Sequence, residues 1–137
     1  MSDIYPKELV LVPDDTDGHS CPFLDMQVTI DDSIISTSLY DKRDAFDFPI
    51  VNFPTLTGNI PLESSYGVFT GEVVRYARAC SYLPDFEERT LLSVRKLKKQ
   101  GFTQRLLKRT WLHFCDVHIL LVQRYGTCVL YLYEKWI

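Results

Sequence analysis

Two pairs of neighbouring aspartates are the residues whose types could do chemistry in this sequence. Asp14 and Asp15 stand in VPDD, and Asp31 and Asp32 stand in TIDD. Paired carboxylates can hold two magnesium ions for nucleotidyl transfer when they come from separate strands and meet at one site. Neither pair has, two positions before its first aspartate, the aromatic residue of the Tyr-x-Asp-Asp turn of polymerases. We interpret Asp31 and Asp32 as turn residues, because aspartate tolerates turn geometry.

Other metal and cofactor sites find no better support in the sequence. Gly18 could be the sixth residue of a calcium loop only if Pro13 were the first, where a carboxylate is required. His113, Cys115 and His118 share a predicted helix, but the two histidines lie about 140° apart around it. No second cluster completes a zinc site, and no Gly-rich phosphate loop is present. The sequence therefore predicts no metal, no cofactor and no catalytic residue.

A run of basic residues is the strongest binding signal. Residues 1–50 carry 11 acids and 3 bases, whereas residues 51–137 carry 7 acids and 12 bases. Residues 95–109 alone contain seven bases and no acid, which favours a polyanionic partner over a face of interleaved charges. The alternative is a basic face that only keeps the chain soluble. The candidate nucleic-acid-binding residues are Arg75, Arg78, Arg95, Lys98, Lys99, Arg105 and Arg109.

Length and composition restrict the class of protein. With 137 residues, 46% of them hydrophobic and 24% charged, the chain can form one core but not two large domains. No apolar run approaches the roughly 18 residues that span a bilayer, and the start MSDIYPKELV lacks the apolar block of a secretory signal. We expect an intracellular protein without a membrane partner, and four free cysteines, mostly buried.

The clearest local pattern lies at residues 23–40. Apolar and polar residues alternate in FLDMQVTI, which predicts a half-buried strand. A turn at residues 31–33 and a second alternating stretch at residues 34–40 complete an antiparallel hairpin. We expect the helices or the following connector to cover the apolar row of this hairpin, which consists of Leu24, Met26, Val28 and Ile30.

The remaining segments predict an α+β fold, in which the hairpin precedes an irregular apolar segment and a three-helix bundle. Residues 1–22 form a partly irregular segment with one short strand at residues 9–12. Residues 41–66 contain three prolines and predict an irregular connector, whose phenylalanines should lie across the core. Helices are predicted from 68 to 80, from Asp85 as N-cap to Gly101, and from Thr103 as N-cap to Gly126. Residues 127–137 form a divergent tail, either helix or strand.

Each predicted helix has an apolar face, as amphipathic helices that cover a core do. The faces are Phe69, Val73, Tyr76, Ala77 and Cys80 in the first helix, Phe86, Val94 and Leu97 in the second, and Leu107, Trp111, Phe114, His118, Leu121, Val122 and Tyr125 in the third.

Three consecutive stretches resemble a known family. They read FLDMQVTIDDSIISTSLYDKRDAFDFPIVNFP, SSYGVFTGEVVRYARACS and LLSVRKLKKQGF. Over about residues 22–125, the chain resembles the C-terminal, post-palm part of a retroelement reverse transcriptase, as found in animal retrotransposon polyproteins. It resembles Penelope-like elements more loosely, through an F-L-D strand and an Arg-rich helix that ends in a Cys-Ser pair.

The resemblance implies a thumb-like region, residues 23–126, that contacts template and primer. It also implies no catalysis by this chain, because the family's magnesium-binding aspartates lie upstream of the matched residues, in a palm that would be missing. We therefore expect a non-catalytic fragment that binds RNA or DNA backbone weakly and without sequence preference. The alternatives are a small protein-protein interaction module, with the palm domain or another protein as partner, and a decayed fragment without function.

Overall fold

A computed structural model of the chain describes residues 18–48, 50 and 53–136. Its architecture is α+β, with a three-stranded antiparallel sheet followed by helices, which confirms the predicted fold class. The short strand predicted at residues 9–12 and the aspartate pair Asp14 and Asp15 lie outside the described residues.

The sheet consists of β1 (Ser20–Phe23), β2 (Met26–Asp31) and β3 (Ile34–Leu39), in the order β1-β2-β3. The β2–β3 hairpin is the predicted one, except that its first strand begins at Met26 and not at Phe23, which belongs to β1. Asp31 pairs with Ile34 at the end of the hairpin. The two residues between them, Asp32 and Ser33, have φ values of 44° and 70°, the positive values that a tight hairpin turn requires. The sequence did not predict β1, which pairs with β2 through a turn at Leu24 and Asp25.

The apolar row of the hairpin is only partly covered, contrary to the prediction that the helices or the connector cover it. Leu24 is 78% exposed and Ile30 is 48% exposed, whereas Met26 packs against the core. The sheet contacts the first two helices, mainly through β3. The sheet is also bonded to the residues after α1: the Ser81 N–H donates to the Thr37 carbonyl oxygen at 2.7 Å, and the Thr37 N–H donates to Ser81 Oγ at 2.8 Å. Residues 30–35, around the β2–β3 turn, are exposed.

The first helix, α1 (Leu62–Ala79), begins six residues earlier than predicted. Pro61 stands at its N-cap, so the proline lies outside the helix and does not interrupt it. The predicted apolar face is buried: Phe69, Val73, Tyr76, Ala77 and Cys80 are all part of the core. The connector before α1 is also less irregular than predicted, because residues Lys42–Ala45 form a short 3-10 helix.

The second helix, α2 (Leu83–Lys99), starts at the N-cap Tyr82, not at Asp85. Asp85 lies in the first turn, where a negative charge stabilises the positive end of the helix dipole. The end of the helix is as predicted: Gly101 has a φ of 91°, and the amides of Gly101 and Phe102 bond to the carbonyls of Lys98 and Leu97. Phe86, Val94 and Leu97 are buried.

The third predicted helix is two helices, α3 (Gln104–Val117) and α4 (Ile119–Gln123), with Thr103 at the N-cap of α3. The break lies at His118, whose amide closes α3 on the Phe114 carbonyl. The bend brings Tyr125 to the C-terminal end of α1, where its hydroxyl lies 2.9 Å from the Ala77 carbonyl oxygen and 2.5 Å from the Cys80 carbonyl oxygen. These bonds satisfy carbonyl groups at a helix end.

The C-terminal residues Thr127–Lys135 form a 3-10 helix, and Val129, Leu132 and Trp136 are buried in the core. Trp136 packs edge to face against both Phe69 of α1 and Trp111 of α3. The tail therefore covers the helices instead of extending away from them.

Candidate nucleic-acid interface

A groove of about 920 Å³ lies between α2 and the segment that follows β3. One wall is formed by α2, with the apolar residues Leu91, Leu92 and Val94 beside its basic residues. The other wall consists of Arg43, Asp44, Phe46, Asp47, Phe48, Ile50 and Phe53, and one end is formed by Lys135 and Trp136. We call this feature the α2 groove. It brings together three parts of the chain that are far apart in sequence.

The geometry of α2 explains why its cations line this groove. A helix turns about 100° per residue, so burying Val94 and Leu97 turns the side chains of Arg95, Lys96, Lys98 and Lys99 outward. All four are exposed. Positive charges in the last turn also stabilise the negative end of the helix dipole, and Lys96, Lys98 and Lys99 occupy that turn.

The α2 groove has an excess of positive charge. Its cations are Arg43, Arg95, Lys96, Lys98, Lys99 and Lys135, and its only described acids are Asp44 and Asp47, a formal excess of four charges. Three of these charges are already paired with residues outside the groove: Asp44 with Arg89, Arg43 with Asp41, and Lys135 with Glu87. Arg95, Lys96 and Lys99 take part in none of the ion pairs found among the described residues. Their charges face solvent uncompensated.

Lys98 has a structural contact within the groove. Its ammonium donates to the Trp136 carbonyl oxygen at 3.0 Å and to Gln104 Oε1 at 3.3 Å. These bonds connect the end of α2 with the start of α3 and with the C-terminal residues. Lys98 therefore has fewer free donors than its neighbours, and substituting it would change packing as well as charge.

Phe46 and Phe48 stand on the wall opposite α2. Their side chains are 53% and 61% exposed, and their ring centroids are 5.3 Å apart with a tilt of 42° between the planes. The prediction that these phenylalanines lie across the core is wrong. Leu39 before them is buried and Phe53 after them packs against the core, whereas Phe46 and Phe48 themselves lie at the surface.

The other predicted binding residues lie elsewhere. Arg109 lines a separate groove of about 530 Å³ between α1 and α3. Arg75 and Arg78 line a third cavity beside Leu24, and Arg75 Nε bonds to Asp25 Oδ2 at 3.0 Å. Arg105 is exposed in the first turn of α3. The structure thus brings together Arg95, Lys98 and Lys99 and separates the remaining four.

Sequence reasoning missed several residues of the α2 groove. Lys96 belongs to the basic run of residues 95–109 but was not predicted as a binding residue. Phe46, Phe48, Arg43 and Lys135 gave no signal in the sequence, because only the fold brings them next to α2.

The side chains that could have served as metal ligands do not lie together in the structure. Asp31 and Asp32 lie at the β2–β3 turn, as predicted. His118 is half-buried with its ring against Phe114. In the described part of the chain, no group of three or more His, Cys, Asp or Glu residues is placed to hold a metal ion. All four cysteines are free, but only Cys80 and Cys115 are buried.

An ion pair stabilises the start of the groove wall. Asp41 caps the short 3-10 helix by accepting the Arg43 amide at 3.0 Å, and the Arg43 guanidinium bonds to both of its carboxylate oxygens. These side-chain bonds from Arg43 lower the pKa of Asp41 to about 2, against its ordinary value of 3.8.

This pKa predicts a loss of stability in acid. A carboxyl group with a lowered folded-state pKa stabilises the fold above its unfolded pKa, and the contribution disappears as pH falls from about 4 to about 2. We expect Asp41 to contribute on the order of 1–2 kcal/mol, measured as the change in urea-unfolding free energy between pH 5 and pH 2 in the wild type minus the same change in Asp41→Asn. Asp41→Asn should flatten that part of the pH profile, whereas Asp47→Asn should leave it unchanged. Identical profiles for Asp41→Asn and the wild type would contradict the prediction.

No protein-family model matches this chain, and no curated protein or solved structure matches it either. Among the described residues, no helix has the length and apolar character needed to cross a membrane.

Proposed function

We propose that this protein binds the backbone of RNA or DNA through the α2 groove. The observation that carries the proposal is the cluster of Arg95, Lys96 and Lys99 on one wall of the groove, since all three lie outside every ion pair among the described residues. Phosphates are the natural partners of such a surface, since cations that neutralise them release condensed counterions. Backbone contacts of this kind carry no sequence information, so the binding is non-specific.

We also propose that the protein is a thumb-like, non-catalytic part of a retroelement reverse transcriptase. Two features support this: the resemblance of residues 22–125, and the order of an antiparallel sheet followed by helices with a basic face. In that family the thumb holds template and primer and the palm performs the chemistry. The proposed role of this chain is accordingly to hold nucleic acid.

The direct test is a binding titration. Fluorescence anisotropy of labelled 20-nucleotide RNA and DNA strands of mixed sequence should give saturable binding at about 50 mM salt. The dissociation constants should be similar for unrelated sequences and should lie near 10⁻⁴–10⁻⁶ M at physiological salt, the range of non-specific binding. No binding at any protein concentration up to about 1 mM would exclude the proposal.

A second candidate function is protein-protein interaction. The observation that favours it is a group of exposed apolar side chains around the break between α3 and α4: Leu112, Val117, Ile119 and Leu120. Apolar association depends little on salt, whereas phosphate binding weakens steeply as salt rises. This candidate would be favoured if the protein self-associated or bound another protein at all salt concentrations and bound no nucleic acid.

A further inference from the structure

We infer that the α2 groove selects single-stranded nucleic acid, whose bases stack on Phe46 and Phe48 while its phosphates lie along α2. The inference rests on the proposed nucleic-acid binding and specifies which form is bound; it is independent of the reverse-transcriptase proposal, whose thumb would contact a paired template and primer. It follows from the two walls of the groove: α2 carries Arg95, Lys96 and Lys99 beside Leu91 and Leu92, and the opposite wall carries the exposed rings of Phe46 and Phe48 beside Arg43.

Phe46 and Phe48 form an exposed aromatic wall of the α2 groove. Large apolar side chains are stabilised by leaving water, yet more than half of each ring of Phe46 and Phe48 remains in solvent. The rings are adjacent, with centroids 5.3 Å apart, so they present one continuous apolar surface. Stacking a base on such a ring removes both flat surfaces from water, and it tolerates any sequence because every base has a π-face.

The cationic wall decides between the possible occupants. An apolar peptide would not match the cations on α2, and an acidic peptide would not require paired aromatic rings. Single-stranded nucleic acid carries both complementary features, namely a charged backbone on one side and flat bases on the other. Charge complementarity with Arg95, Lys96 and Lys99 therefore points to this occupant.

The double-stranded form fits the cations but not the rings. In a duplex the bases are stacked on each other and only their edges reach the grooves, so Phe46 and Phe48 would face sugar and phosphate.

The test compares a labelled 12-nucleotide poly(dT) strand with a 12-base-pair duplex at fixed low salt. The wild type should bind the single strand at least tenfold more tightly. Phe46→Leu with Phe48→Leu keeps the segment apolar but removes the rings, and should lower single-strand affinity by about five- to a hundredfold per stacked base. Its duplex affinity should stay within about twofold of the wild type.

Phe23→Ala is the matched control, because Phe23 is an equally exposed aromatic residue on β1, outside the α2 groove. It should change neither affinity, and circular dichroism should show that both variants retain the wild-type melting temperature. Equal binding of strand and duplex, or an unchanged strand affinity in the leucine variant, would overturn the inference while leaving backbone binding intact. Absence of binding to both would overturn the proposed function as well.

Discussion

Replacing Trp111 by alanine is expected to remove a large part of the stability of this protein. The indole is fully buried and lies at the centre of the aromatic core, where its ring contacts those of Phe86, Phe114 and Trp136 with centroid distances of 6.2, 5.5 and 5.7 Å. Truncating a buried tryptophan costs about 3–5 kcal/mol, through lost burial and the cavity that remains. The whole free energy of unfolding of a small domain is about 5–15 kcal/mol.

Urea unfolding followed by circular dichroism measures this effect. Leu112→Ala is the control, since Leu112 neighbours Trp111 on α3 but is exposed, and surface substitutions usually change stability by less than about 0.5 kcal/mol. A Trp111→Ala variant with the midpoint of the wild type would mean that α2, α3 and the C-terminal 3-10 helix do not share the core described above.

The largest effect on binding is expected from reversing two charges of the α2 groove. Arg95→Glu combined with Lys99→Glu places carboxylates where phosphates would lie, and should weaken binding of a 20-nucleotide strand by at least about tenfold at 50 mM salt. Lys98 is left unchanged because its ammonium bonds to Trp136 and Gln104. A loss of affinity in the double variant can therefore be separated from a loss of structure.

The control variant makes the same change in net charge outside the groove. Arg78 and Arg105 are exposed, and neither lines the α2 groove. Arg78→Glu combined with Arg105→Glu should lower the affinity by less than about threefold, because these changes act only through the overall electrostatic potential of the protein. An equal loss in the two double variants would show that net charge, not the groove, determines binding.

The sequence predicts the features of this fold that depend on local periodicity. Alternation identifies β2 and β3, and the 3.6-residue period identifies the buried faces of the helices, because burial of one side is what creates each pattern. Gly101 and Thr103 are correctly read as the end of α2 and the start of α3. The basic face of α2 follows from the same geometry, so Arg95, Lys98 and Lys99 are predictable as exposed cations.

Features that depend on tertiary contacts are not predictable in this way. No glycine or proline marks the break at His118, and the bend is accompanied by the bonds of Tyr125 to the end of α1. Periodicity cannot show that the apolar row of β2 is only partly covered, because coverage depends on where the sheet docks. The groove itself joins Phe46, Lys99 and Lys135 across more than eighty residues, a proximity that only the folded chain creates.

The salt dependence of nucleic-acid binding tests the central claim most directly. If about four cations contact phosphates, a plot of log affinity against log salt should have a slope near −3 to −4, at roughly 0.7–0.9 per contact. Arg95→Glu combined with Lys99→Glu should make this slope shallower by about 2, and the Arg78 and Arg105 variant should leave it unchanged. A flat salt response, with binding retained, would contradict the account and show that the chain associates through apolar surfaces.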